Sequence, residues 1–353
     1  MELHPIILED LERITREKID FEKLRDATVL ITGINGMIAS YITYTLLYLN
    51  ETRQLNIKVL GLARNEEKAK KRFGRLLERK DFALLIQDIT TPIQTEEKAD
   101  FIIHAASQTG PRQFVNDPVG TIAANTTGTK NLLDFAVEKK SRGVLFLSTR
   151  EIYGKSLTGQ ELVTEEEYGA VDPTLVRSCY PESKRMSETM CAAYKKQYGL
   201  NTKVIRIAHT YGPGMLIGDG RVVGDFLKNV IQSQDIVMNS DGSAVLGLTY
   251  ISDLITGLFF SFLNFDEFVY NVSADNGIVT VKELANMLAD MYPEKQIKTV
   301  FKEASPEVKA GYLANKIPLL HSKKAMESGW EPKVSLEEGF RRTVAYGEWN
   351  EQK

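Results

Sequence analysis

TVLITGINGMIAS, residues 28–40, sets a short run of buried-type apolar residues against a glycine-bearing turn and then a helix-forming stretch. Five residues of Thr, Val, Leu and Ile form a strand too short and too β-branched for a helix. Gly33 and Gly36 follow, with the small Ala39 three positions later, in the spacing G-x-x-G-x-x-A. Glycine lets backbone N–H groups come close to an anion, and a helix N-terminus adds partial positive charge. Strand, glycine turn and helix together predict a dinucleotide site at the first βα turn, with Gly33, Asn35, Gly36, Met37 and Ile38 lying against the pyrophosphate.

The same rhythm continues outward. KVLGLA (58–63), ADFIIHAA (99–106), GVLFLST (143–149) and KVIRIAHTYG (203–212) are further apolar strands separated by helix-length segments. Such alternation predicts an α/β fold of the Rossmann type, a doubly wound parallel sheet with helices on both faces. The expected organisation is an N-terminal helical extension over 1–26 and a cofactor-binding domain over 27–212, joined by a contribution from about 245–270. A smaller, discontinuous substrate-binding lobe is expected over 213–244 and 271–353. Within the extension, residues 7–25 carry the spacing of one amphipathic helix.

Composition narrows the classes of function. The 353 residues are 43 % hydrophobic and 26 % charged with a net charge of −3, which offers neither nucleic acid nor an anionic membrane a basic surface. No run reaches the ~18 apolar residues of a membrane span, and the N-terminus lacks the pattern of a secretory signal. The two cysteines, Cys179 and Cys191, lack metal-ligand spacing and suit reduced thiols. A cytoplasmic protein without a metal site is the expectation.

Several positions suggest how a cofactor is gripped. The second strand ends in Ala63, Arg64 and Asn65, without the carboxylate that usually holds a ribose 2′-hydroxyl, so Arg64 is expected to favour NADP(H) over NAD(H). QDIT (87–90) places Asp88 and Ile89 near the adenine, while Ala105, Ala106 and Ser107 close the next strand with side chains small enough to lie under the cofactor. Asn125 is expected to tie the sheet or a proton relay together.

The catalytic pattern is Tyr180 and Lys184 in CYPESK, four apart and therefore on one helix face, with Thr149 at the end of LFLST. An ammonium beside a phenol lowers its pKa, so Tyr180 can exchange a proton with a substrate hydroxyl or carbonyl while Thr149 hydrogen-bonds the same oxygen and hydride moves to or from nicotinamide. Glu151 lies two residues beyond Thr149, with Arg150 between them.

On these motifs the chain resembles an extended short-chain dehydrogenase/reductase of the nucleotide-sugar epimerase/dehydratase kind from about residue 27 onward, nearest to the UDP-glucuronate decarboxylases. RSCYPESKRMSETMCAAYKKQYG (177–199), GDGRVVGDF (218–226), YISDL (250–254) and GWEPKVSLEEG (329–339) carry the likeness. The resemblance implies a nucleotide-linked sugar as substrate and a homodimer packed through helices of the large domain, and the close match around Arg221 implies a substrate contact there. Arg150, His209, Lys316 and Arg112 are further expected substrate contacts, with Arg177 another candidate, and Arg150 could instead pair with Glu151. It also exposes departures. Dehydrating relatives carry Thr-Asp-Glu where this chain has Thr149-Arg150-Glu151. The arginine that relatives use on the diphosphate is Leu246 here, a later arginine is Lys316, and an asparagine is His209. Three readings stay open. The preferred one is net NADPH-dependent reduction of a keto group. The alternatives are an internal-redox decarboxylase or C4 epimerase with tightly bound NAD, and a cofactor-binding module without catalysis.

Overall fold

The structure is a computed structural model, and it describes residues 3–159, 161–302 and 318–352. Its strands are β1 (Thr28–Thr32), β2 (Lys58–Ala63), β3 (Phe82–Ile86), β4 (Phe101–His104), β5 (Gly143–Thr149), β6 (Leu162–Val163), β7 (Thr202–Ile207), β8 (His209–Tyr211), β9 (Ile236–Met238), β10 (Val245–Tyr250), β11 (Val269–Val272), β12 (Ile278–Thr280), β13 (Thr299–Phe301) and β14 (Leu319–Leu320). Seven of them form one sheet in the order β11-β7-β5-β4-β1-β2-β3, with every neighbouring pair parallel. The order reverses between β1 and β4, and a crevice at such a switch point is where open α/β sheets take ligands.

The strands read as continuous apolar runs because both faces are covered. Val29 and Ile31 of β1 point into one core while Leu30 points into the other. In β5, Leu145 and Leu147 join the first core, whereas Val144 and Phe146 join the second. Helices α2 (Met37–Arg53) and α8 (Ile251–Asn264) supply the first core. Helices α5 (Pro118–Glu138) and α6 (Cys179–Tyr198) cover the opposite face. Both cysteines are buried free thiols.

Three smaller sheets accompany the large one: β12-β10-β8, β13-β9 and β14-β6. The amphipathic stretch at the N-terminus is shorter than its spacing suggests. Helix α1 runs from Pro5 to Arg16, Glu17 turns extended (ψ 154°), and a separate short 3-10 turn covers Phe21–Leu24. Ile19, Phe21 and Leu24 are all buried, so the break lets the chain turn these side chains into the core. The helix is fastened by Asp10, fully buried, which accepts hydrogen bonds from the Tyr41 and Tyr250 hydroxyls (each 2.9 Å) and from Arg342 (2.8 Å) of the C-terminal helix Leu336–Glu351. Among the described residues no helix is long and apolar enough to cross a membrane.

Candidate active site

The glycine turn sits at the switch point. Gly33 has φ +68°, and a Cβ there would stand 2.6 Å from the Ala106 Cα, so only glycine lets β1 and the β4 end approach this closely. Thr32 Oγ1 accepts the Ala106 N–H (3.1 Å) and lies 2.7 Å from His104 Nδ1, whose other ring nitrogen is 3.1 Å from Thr129 Oγ1. Burial, with the Lys184 charge adding to it, pushes His104 down to about 3, so a neutral imidazole holds β1, β4 and α5 in register. Gly36 begins α2 without a side-chain cap, which leaves first-turn N–H groups of Met37 and Ile38 for a ligand anion. Asn35 donates to the Asn65 carbonyl (2.9 Å), while its buried Oδ1 has no partner. An uncapped helix start and an orphaned buried acceptor beside a glycine cradle fit a dinucleotide.

Other expected cofactor contacts are distributed around this turn. Asp88 is held in a local turn by the Thr90 backbone N–H (2.9 Å) and hydroxyl (2.8 Å), which keep its carboxyl below the usual range. Arg64 faces it at 3.6 Å, with its side chain 71 % exposed. Ile89 packs against Gly128 of α5. Ser107 donates to Asn125 Oδ1 (2.8 Å), Asn125 donates to Ser183 Oγ (2.8 Å), and Ser183 donates to the Tyr180 carbonyl (3.0 Å). Asn125 therefore links the segment after β4 to the start of α6, through a serine the sequence reading had not singled out.

At the end of β5 the structure brings Thr149, Glu151 and Tyr180 together, while the Lys184 ammonium turns to the Leu147 carbonyl. The Tyr180 and Thr149 side chains are both buried, and the Thr149 hydroxyl lies near enough to favour the ionised phenol. Contrary to the lowering expected from Lys184, burial, aided by the Glu151 carboxylate, pushes Tyr180 well above its ordinary pKa, while Thr149, Arg177 and Arg221 oppose the shift. Lys184, 3 % exposed, donates to the Leu147 carbonyl (2.8 Å) and stands 4.6 Å over the Phe146 ring. Desolvation pulls its ammonium down to about 7, partly offset by Glu188 one turn further along α6. Glu188 is fixed by an ion pair to Arg206 (2.8 Å) and by the Ser148 hydroxyl.

Glu151 is not a free carboxylate. Arg177 donates to both of its oxygens (3.0 and 2.9 Å), lies over the Phe114 ring at 4.4 Å, and Phe114 stacks on Tyr180 at 4.8 Å and 25°. Arg221 is paired with Asp219 at 2.6 Å and His209 stands between charges: burial, then Arg150 and Arg221, push it down to about 3. Leu246 is buried in the core, opposite Val279 of β12. Lys316 and the Arg112 side chain lie outside the described residues. Sequence reasoning missed Phe114, Ser183, Glu188 and Arg206. Only Ser183 and Glu188 carried a signal, since they fall at helical spacing from Tyr180 and Lys184.

Residues 29–273 match the family described as the NAD dependent epimerase/dehydratase family. The chain belongs to that family. It is an enzyme of the extended short-chain dehydrogenase/reductase type. It is 32 % identical over 324 residues to UDP-glucuronic acid decarboxylase 1 of Danio rerio, covering 90 % of this chain and 72 % of that one. UDP-glucuronic acid decarboxylase 6 of Arabidopsis thaliana is 33 % identical over 313 residues, covering 88 % and 86 %. Among solved structures, UDP-glucose 4-epimerase of Thermotoga maritima superposes with a TM-score of 0.76 at 23 % identity, over 92 % of this chain and 99 % of that one. UDP-glucuronic acid 4-epimerase of Bacillus cereus, solved with UDP-glucuronic acid and NAD, gives 0.74 at 21 % identity, over 90 % and 98 %. At these identities the two structures speak for the shared fold.

Proposed function

We propose that the protein is an internal-redox enzyme: it oxidises the sugar of a nucleotide-linked substrate, transforms the keto sugar, and reduces it again without net consumption of cofactor. The observation that carries this reading is the Arg177-held Glu151 carboxylate at the end of β5, beside the buried Thr149 and Tyr180 hydroxyls. On oxidation Tyr180 takes the proton of a sugar hydroxyl in its ionised form, which burial and Glu151 oppose and the positive charge of bound oxidised NAD would favour. On reduction it returns the proton, and Thr149 hydrogen-bonds the same oxygen. Bound NAD supplies the hydride acceptor and donor. Lys184 keeps a positive charge within the site below about pH 7. Glu151, held at both oxygens, orders the oxidised sugar or handles its proton.

A simple reductase needs no carboxylate placed in this way. That reading rested on the missing dehydratase acid and on Arg64, and Arg64 already faces the Asp88 carboxylate. Relatives named as decarboxylases and neighbours solved with NAD lend support to internal redox with NAD as the resident cofactor. We take the enzyme as a cytoplasmic homodimer. The deciding experiment identifies the nucleotide released when purified protein is denatured, then follows nucleotide-sugar conversion with added NADPH. NAD released in near-stoichiometric amount, with sugar converted and no NADPH oxidised, is expected. One NADPH oxidised per sugar converted overturns the proposal in favour of net reduction.

A further inference from the structure

The charges at the end of β5 do not all cancel. Arg177 is taken up by Glu151 through two hydrogen bonds, and Arg221 by Asp219 at 2.6 Å. His209 is held neutral by burial and by the two guanidinium groups it faces. Arg150 is left over. Among the described residues its half-buried guanidinium makes no hydrogen bond and no ion pair, and Glu151 acts on it only through space. An arginine is always charged and carries five N–H donors in a planar fork that matches an oxyanion. Taking such a cation partly out of water without a counter-ion is unfavourable, so the site as it stands is incomplete on the anionic side.

The sequence position says which anion completes it. Arg150 directly follows Thr149, and consecutive Cα atoms are about 3.8 Å apart. Thr149 and Tyr180 are buried next to each other at the end of β5, and on the proposed function their hydroxyls mark the reacting oxygen. A group reached from the next residue is a substituent on a neighbouring sugar carbon, whereas the diphosphate sits across the ring from it.

We infer that Arg150 is the receptor for a carboxylate carried by the sugar next to the reacting carbon, so that it selects nucleotide-linked uronic acids over neutral hexoses and keeps the carboxylate in place during turnover. The second half follows from charge flow and rests on the internal-redox reading. Once the neighbouring carbon is a ketone, the sugar is a β-keto acid. Loss of CO2 breaks the bond between ring carbon and carboxylate, and that electron pair moves to the ketone oxygen. A cation bound to the carboxylate stabilises the charge where it starts and less where it arrives, which slows the loss. With the carboxylate retained, re-reduction from the other face returns an epimer.

The test uses enzyme with its co-purified nucleotide and three probes: UDP-glucuronate, UDP-glucose and UDP. Wild type should bind UDP-glucuronate at least about 10-fold more tightly than UDP-glucose. Arg150→Gln should weaken UDP-glucuronate by about 10- to 100-fold, the worth of a charge-assisted contact, and leave the other two within about 3-fold. Arg150→Lys should keep part of the preference, and unchanged nucleotide content checks that both variants fold. NMR of products from carboxyl-labelled UDP-glucuronate should show the label retained by wild type and a rising share of CO2 from Arg150→Gln. Equal losses for all three probes would place Arg150 on the diphosphate, and no loss or no wild-type preference would remove it from the substrate; each overturns the inference. CO2 as the main wild-type product overturns the retention half. An Arg150-dependent preference without conversion of any sugar would leave the receptor standing and overturn the internal-redox reading instead.

Discussion

Replacing Lys184 with methionine should make the protein more stable while it removes activity. Lys184 is 3 % exposed, keeps one hydrogen bond, to the Leu147 carbonyl at 2.8 Å, and titrates near 7 instead of its ordinary 10.5. At 1.36 kcal/mol per tenfold, that depression costs the native state roughly 5 kcal/mol where the lysine is protonated in both states. Losing the hydrogen bond returns about 1 kcal/mol of this, and methionine fills much the same volume. The variant should therefore be more stable by about 2–4 kcal/mol at pH 6, within the usual range for a relieved buried charge. Between pH 7 and 10.5 the unfolded chain binds a proton that the native state has released, so wild-type stability rises with pH and the gap closes. Urea unfolding of the cofactor-free proteins at pH 6, 7.5 and 9 measures it. A gap that does not change with pH, or a variant less stable than wild type at pH 6, would refute the reasoning.

Tyr180→Phe should leave nucleotide content unchanged and lower kcat by roughly 10²-fold or more, measured by conversion of a nucleotide sugar. Glu151→Gln should lower turnover by ~10²–10⁴-fold if internal redox needs this carboxylate, whereas a loss of only a few-fold would favour simple reduction. Gly33→Ala forces a side chain into φ +68° and to 2.6 Å from the Ala106 backbone, so the purified variant should contain little or no nucleotide by absorbance. Arg342→Met leaves the Asp10 carboxylate buried without its cation and should destabilise by about 3–5 kcal/mol in a urea melt.

The large sheet was legible because each strand is buried on both faces, so Val29, Leu30 and Ile31 are all apolar although they enter different cores. The Tyr180–Lys184 pair was legible because four residues of helix fix its geometry regardless of surroundings. Other features depend on loops whose course no local pattern fixes. Arg177 reaches Glu151 across 26 residues, and Phe114 comes from a different helix to stack between Arg177 and Tyr180. The role expected of Lys184 illustrates the same limit: spacing puts it on the face of Tyr180, yet its ammonium turns to the Leu147 carbonyl. Arg64 was read as a phosphate receptor from strand position alone, and the turn that brings Asp88 opposite it lies on another strand's end. The helix predicted over 7–25 breaks after Arg16 because burying Phe21 outweighs continuing the spiral.

The Asp10 cluster bears on the order in which a nascent chain can settle. Its carboxylate lies in the first helix and its cation in the last, 332 residues later. A ribosome adding ~5–20 residues per second finishes that interval in roughly 20–60 s, and every strand of the large sheet has emerged well before it ends. Until Arg342 arrives, burying helix α1 would strand a charge, so the segment should remain undocked beside an otherwise assembled sheet. Docking of the first helix then becomes a late event in biogenesis, and the opening dozen residues are the part most exposed to a protease or chaperone during synthesis.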